Sequence, residues 1–142
     1  MLGVEWEEVL TVHVVIGKTV NLQNDSGDSV VMISFTGTAT GSYFEGAVLD
    51  GGVDTQIIGR FGDRHSLSAR YMLKGRDHTG QTCEIYIENN GEIHKKPQHA
   101  PFRTTPKIIT NSKALDFLNG AILAGEGHPT DKGIDIVIYR AL

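Results

Sequence analysis

Residues 4–16 read VEWEEVLTVHVVI. Trp6, Leu10, Val12, Val14 and Ile16 stand at even positions, and Glu5, Glu7, Thr11 and His13 at odd ones. An alternation of period two puts these sets on opposite faces of one long extended strand. The same pattern recurs down the chain. Lys18 to Asn24 reads as a second strand, closed by the turn residues Asp25-Ser26-Gly27-Asp28. Ser29 to Thr38 reads as a third, with Val31, Ile33 and Phe35 on one side.

Tyr43 to Leu49 and Val53 to Arg60 follow, ended by Asp50-Gly51-Gly52 and Phe61-Gly62-Asp63. His65 to Lys74 carries Leu67, Ala69, Tyr71 and Leu73 on one face, and Ser66, Ser68, Arg70 and Met72 on the other. After the turn Arg76 to Gly80, Gln81 to Asn89 is extended, and Asn90-Gly91 has the chemistry of a type I′ hairpin turn. Phe102 to Thr110 is extended, with Pro106 disfavouring a central place in a sheet. A short helix fits after Asn111 or Ser112 as cap, with Leu115 and Leu118 on one face and Gly120 as a left-handed stop. Ala121 to Glu126 and Ile134 to Ala141 are the last strands. Short strands at regular spacing with a single helix near the C-terminus indicate an all-β sandwich or barrel. An antiparallel β-barrel of about eight to ten strands is the preferred reading, because closure removes sheet edges.

The length of 142 residues fits a single domain, residues 1–142, with enough core to need no staples. A net charge of −4 speaks against a general nucleic-acid binder. Cys83 is the single cysteine, so no internal disulfide forms, and its place in step with Ile85 and Ile87 marks it as a packed hydrophobe. The start, Met1 to Trp6, lacks the charged and apolar regions of a signal peptide, and no apolar run is long enough for a spanning helix. The expectation is a cytoplasmic protein without a membrane partner.

Several stretches then gather into a family pattern. They are Phe44-Glu45-Gly46, Gly51-Gly52-Val53-Asp54-Thr55-Gln56, Ala69-Arg70-Tyr71, Ile87-Glu88-Asn89-Asn90-Gly91, Phe102-Arg103-Thr104-Thr105-Pro106 and Phe117-Leu118-Asn119. In this order, and over most of the chain, the set resembles the mainly microbial family of unknown function DUF3237, also called UPF0311. The resemblance implies a barrel similar to lipocalin-like or allene oxide cyclase-like barrels, and self-association as a homodimer. It implies no particular activity.

Asp54 and Gln56 are two apart on a strand and point the same way. In a lumen, a buried carboxylate beside an amide could orient and deprotonate a small substrate. At a strand end the same pair would be a surface feature capping Gly51-Gly52. Arg70 becomes a fixed cation for a ligand oxygen if its face lines the lumen, and a solvated arginine if it faces water. Asn89 and Asn119 could bind ligand oxygens or serve a turn and a helix end. Thr104 and Thr105 point to opposite sides, so at most one enters a lumen. Tyr43, Tyr71 and Tyr86 are acids, ligand platforms or packed rings.

His13, His65, His78, His94, His99 and His128 show no zinc-site spacing. His94 and His99 flank a polar loop where a metal is a minor possibility. No P-loop or dinucleotide fingerprint is present, and no cofactor is expected. From Glu92 to Asp116 there is no acidic residue between, while Lys95, Lys96, Arg103, Lys107 and Lys113 are present. Such a segment attracts an anion to a barrel mouth or is simply a solvated edge. The expected function is a small-molecule site in the lumen, with cofactor-free proton-transfer chemistry of the isomerase, cyclase or hydratase kind. Asp54 and Arg70 would be catalytic, and Gln56, Asn89, Thr104 and Asn119 ligand-binding. The alternatives are a non-catalytic binding barrel and a self-associating module with a filled core.

Overall fold

The structure is a computed structural model that describes residues 3–93 and 102–142. The strands are β1 (Trp6–Leu22), β2 (Ser29–Thr40), β3 (Phe44–Val48), β4 (Val53–Ile58), β5 (His65–Asp77), β6 (Thr82–Glu92), β7 (Phe102–Thr110), β8 (Leu123–Pro129) and β9 (Gly133–Ala141). All pairings are antiparallel. β1 pairs with both β2 and β9, so the sheet closes on itself.

β3 and β4 share one place in the ring. Both lie between β2 and β5, end to end. The break runs from Leu49 to Gly52, where Leu49 N–H donates to the Met72 carbonyl and Phe35 N–H to that of Gly52. Gly51 makes the turn at φ +104°, in the left-handed region. Nine strands therefore fill eight places. A barrel of eight places has an interior just wide enough for its own side chains or one small ligand.

Here the two halves of the interior differ. At one end it is packed solid by Leu10, Phe44, Leu73, Ile85, Leu115 and Leu118, each at most 2% exposed. A 3₁₀ turn, Asp116–Gly120, is tied to this end. Ser112 Oγ accepts from Leu115 N–H at 3.2 Å and donates to Asp77 Oδ2 at 2.7 Å, fixing the approach to the turn. Glu7 Oε1 accepts from both Tyr43 Oη and Arg140 Nε at 2.7 Å, and the Arg140 guanidinium lies 4.5 Å from the centre of the Phe117 ring. Towards the other end the lumen is open. Cys83 is buried beside Ile85 and Ile87, as its register indicates.

Several local expectations need correction. Lys18 to Asn24 is no separate strand: β1 bulges between Ile16 and Thr19 and runs on to Leu22. Asn90-Gly91 makes no turn. Both residues lie inside β6, paired with Ser68 and Leu67 on one side and with Thr105 and Thr104 on the other. Two flanking ladders outweigh a local turn preference, and Gly91 has a steric reason of its own. A Cβ there would stand 3.0 Å from both the Arg103 carbonyl and Thr104 Cγ2.

Pro106 sits within β7 opposite Asn89, beyond the last β7–β8 pair at Thr104, so on the β8 side its missing N–H forfeits no ladder bond. The helix is a five-residue 3₁₀ turn followed by extended Ala121 at φ −74°, with no left-handed Gly120. Among the described residues, no helix is long and apolar enough to cross a membrane.

Candidate functional site

The open half of the lumen holds a cavity of about 260 Å³. Its wall is mostly aliphatic and aromatic, from Val14 and Ile16 on β1, Ile33 and Phe35 on β2, and Ile134 and Ile136 on β9. Asp54, Gln56, Tyr71 and Asn89 supply the polar side chains.

Register explains how they meet. Asp54 on β4 is opposite Ala69 on β5, and Ala69 is opposite Asn89 on β6. Partners across a ladder are about 5 Å apart, so Asp54 and Asn89 flank Ala69 on the inner wall. The methyl group of Ala69 leaves the space between them clear. Tyr71 stands two residues further along the same face, held edge-on against Phe35 with ring centres 5.1 Å apart. Gly52 lies beneath it, where a Cβ would come within 3.3 Å of both rings' residues.

A neighbouring side chain holds one side of Asp54. Gln56 Nε2 donates to Asp54 Oδ2 at 2.8 Å, and Gln56 Oε1 is 2.6 Å from His65 Nε2. An amide oxygen only accepts, so His65 carries a proton on Nε2. The chain His65–Gln56–Asp54 runs inward from the open end and fixes the carboxylate plane. Asp54 Oδ1, Tyr71 Oη and Asn89 Oδ1 are buried and have no partner in the protein. Burial raises the Asp54 carboxyl above its ordinary value, against smaller opposing effects of Gln56, His65 and the Ser68 backbone N–H. Burial likewise holds the Tyr71 hydroxyl protonated far beyond the usual tyrosine range.

Of the residues expected from sequence, Asp54, Gln56 and Asn89 come together here. Thr104 is buried on the inner face of β7, and its Oγ1 has no protein partner, but it does not line the cavity. Thr105 faces outward. Arg70 is corrected outright. It lies on the outer wall, its side chain 65% exposed and 3.6 Å from Glu88. The inner face of β5 is the apolar one, Leu67, Ala69, Tyr71 and Leu73, and alternation sends Arg70 to solvent.

Asn119 is also outside the site. Its Oδ1 accepts from Thr110 N–H at 2.8 Å, clamping the 3₁₀ turn to the end of β7. Asp54 does not cap Gly51-Gly52, since its carboxylate bonds Gln56. Arg103, Lys107 and Lys113 are exposed, while Lys95, Lys96, His94 and His99 lie outside the described residues. Among the described residues no group of three metal-ligating side chains converges.

Sequence reading passed over His65. The signal was present in the β4–β5 hairpin: once the Phe61-Gly62-Asp63 turn fixes its register, Gln56 opposes Leu67 and stands diagonal to His65.

A barrel with this strand arrangement has known counterparts. The family model of proteins of unknown function DUF3237 matches residues 4–141. The chain belongs to the DUF3237 family. A UPF0311 protein of Clostridium acetobutylicum is 35% identical over 88 residues, 61% of this chain and 52% of that protein, so the match spans about half of the relative. A crystal structure of a protein of unknown function from the same organism superposes with a TM-score of 0.83 at 27% identity, covering 100% of this chain and 99% of that one. A β-barrel-like protein of Acinetobacter baumannii superposes at 0.81 with 21% identity, covering 100% and 98%. These likenesses establish the DUF3237 barrel and leave its chemistry to the residues within it.

Proposed function

We propose that this DUF3237 barrel holds a small molecule in its lumen and moves a proton on it, with Asp54 as general base and without a cofactor. One observation carries the reading. A carboxylate on the wall of an apolar cavity has one oxygen fixed by Gln56 and the other buried without a side-chain partner. Desolvation makes such a carboxylate a stronger base than one in water, and apolar walls strengthen its interaction with a bound C–H or O–H acid.

The step balances within the site. Asp54 Oδ1 takes a proton from a carbon next to a carbonyl. The electron pair passes to the carbonyl oxygen, and the Tyr71 hydroxyl donates a hydrogen bond to the resulting enolate. Asp54 returns its proton to the same or a neighbouring carbon, giving exchange or isomerisation. A tyrosine that stays protonated suits the donor role. Arg70, facing solvent, has no part in this scheme.

The test is solvent-deuterium exchange into small cyclic ketones and enones in D₂O, followed by proton NMR. Wild type is expected to label at least one member of the panel, and Asp54→Asn to lose about 10²–10⁴-fold in rate. Binding without exchange in both proteins would mean a carrier barrel. Equal exchange rates in both would overturn the role of Asp54.

A further inference from the structure

We infer that the ligand is uncharged, about ten to twelve non-hydrogen atoms in size, and carries a hydroxyl or N–H donor together with a carbonyl acceptor on an otherwise apolar frame. This rests on the lumen being the ligand site, and it deepens that reading by naming the class.

Size sets the first limit. An apolar cavity of about 150 Å³ takes one benzene ring. The lumen's 260 Å³ therefore takes a substituted ring or a small fused pair. It is too small for a nucleotide or a lipid chain to be enclosed.

Charge sets the second. Among the described residues no lysine or arginine lines the cavity. Arg70 and the described basic residues of the 103–113 stretch are exposed on the outer wall. An anion would lose its hydration without gaining a cation from the described wall, and it would lie near the Asp54 carboxylate. The sequence suggests Arg70 as a cationic anchor, and the closed barrel places it on the outer wall.

Hydrogen-bond matching sets the third. Asp54 Oδ1 and Asn89 Oδ1 are acceptors without protein partners, so the ligand has to bring a donor. Tyr71 Oη has a proton to give, so the ligand has to bring an acceptor. A plain hydrocarbon fills the space and leaves three buried polar atoms unsatisfied. A hydroxy-ketone, a phenolic ketone or an enolised dicarbonyl satisfies them. Asp54 and Asn89, on either side of Ala69, meet the donor edge, and Tyr71 meets the carbonyl.

The experiment uses the full chain, isotopically labelled, titrated with five probes of similar size: para-hydroxyacetophenone, para-ethylphenol, ethylbenzene, para-hydroxybenzoate and benzylamine. Amide shifts of Leu67, Ala69 and Ile136 report lumen binding. The phenolic ketone is expected to bind at least about tenfold more tightly than each of the others, a ratio equal to one hydrogen bond lost. Tyr71→Phe is expected to erase its advantage over para-ethylphenol while leaving para-ethylphenol unchanged. Tighter binding of para-hydroxybenzoate or benzylamine would overturn the neutral class while keeping the lumen site. Tighter binding of ethylbenzene would overturn the hydrogen-bond matching alone. If no probe moves those amides, the lumen reading falls with the inference.

Discussion

Asp54 shows how one buried group shapes both chemistry and stability. Its carboxyl is raised in the folded chain, chiefly by burial. The folded protein then binds its proton more tightly than the unfolded chain does. Stability falls as pH rises from the ordinary carboxylate value, about 3.9, through the raised one. Asp54→Asn removes that loss, so it is expected to raise Tm at about pH 8 and to leave it unchanged at about pH 3. Calorimetry at the two pH values checks this, and a destabilised Asn variant at the higher pH would contradict it.

Gln56→Leu should push the same carboxyl further in the same direction. It removes the donor to Oδ2 and strands His65 Nε2, so Asp54 should titrate still higher, seen by carbon NMR of the carboxyl.

Asp77 is the contrasting acid. It is buried at the closed end, yet accepts from the hydroxyl and N–H of Thr79, from Gln81 N–H and from Ser112 Oγ. The Thr79 and Ser112 hydroxyls lead in holding its carboxyl down to about 2. Its stabilising effect is complete above the ordinary carboxylate value and is lost as pH falls through that depressed one. Ser112→Ala should therefore narrow the acid-stable range, with circular dichroism showing unfolding at higher pH than in wild type.

At the scale of elements, alternation decided most of the outcome. β5 and β6 present every second side chain inward without interruption, and both were readable from Leu67 to Leu73 and from Cys83 to Ile87. What failed were the punctuation marks. Asn90-Gly91 and Pro106 carry strong local preferences, but each sits where the ladder geometry tolerates or requires it. Close strand approach works against a side chain at another glycine as well. A Cβ on Gly75 of β5 would strike the Glu45 carbonyl and Gly46 of β3. Gly75→Ala should cost about 1–3 kcal/mol, read as a lower urea midpoint. Gly37 and Ala39 pair with Val14 and Val12 across the β1–β2 ladder.

For the whole molecule, closure joins β1 to both β2 and β9, so the first and last strands are adjacent in the ring. Contacts of such sequence separation make folding slow, in the millisecond-to-second range, and couple every strand to the rest. One cooperative transition is expected, with equal calorimetric and van't Hoff enthalpies. Two separated transitions would show that the packed end and the open end unfold independently.

Residue order alone revealed the strands, their two faces and the likeness to DUF3237, because strand alternation is a local property of the backbone. It also brought out Asp54 and Gln56 as a same-face pair. Which face turned inward was settled only by ring closure, which buried the apolar side of β5 with Tyr71 and left Arg70 in water. Closure also set Asn89 beside Asp54 across Ala69 and drew His65 into contact with Gln56. Those meetings depend on inter-strand register, which is fixed by pairings between distant segments and by how many places the barrel needs to close.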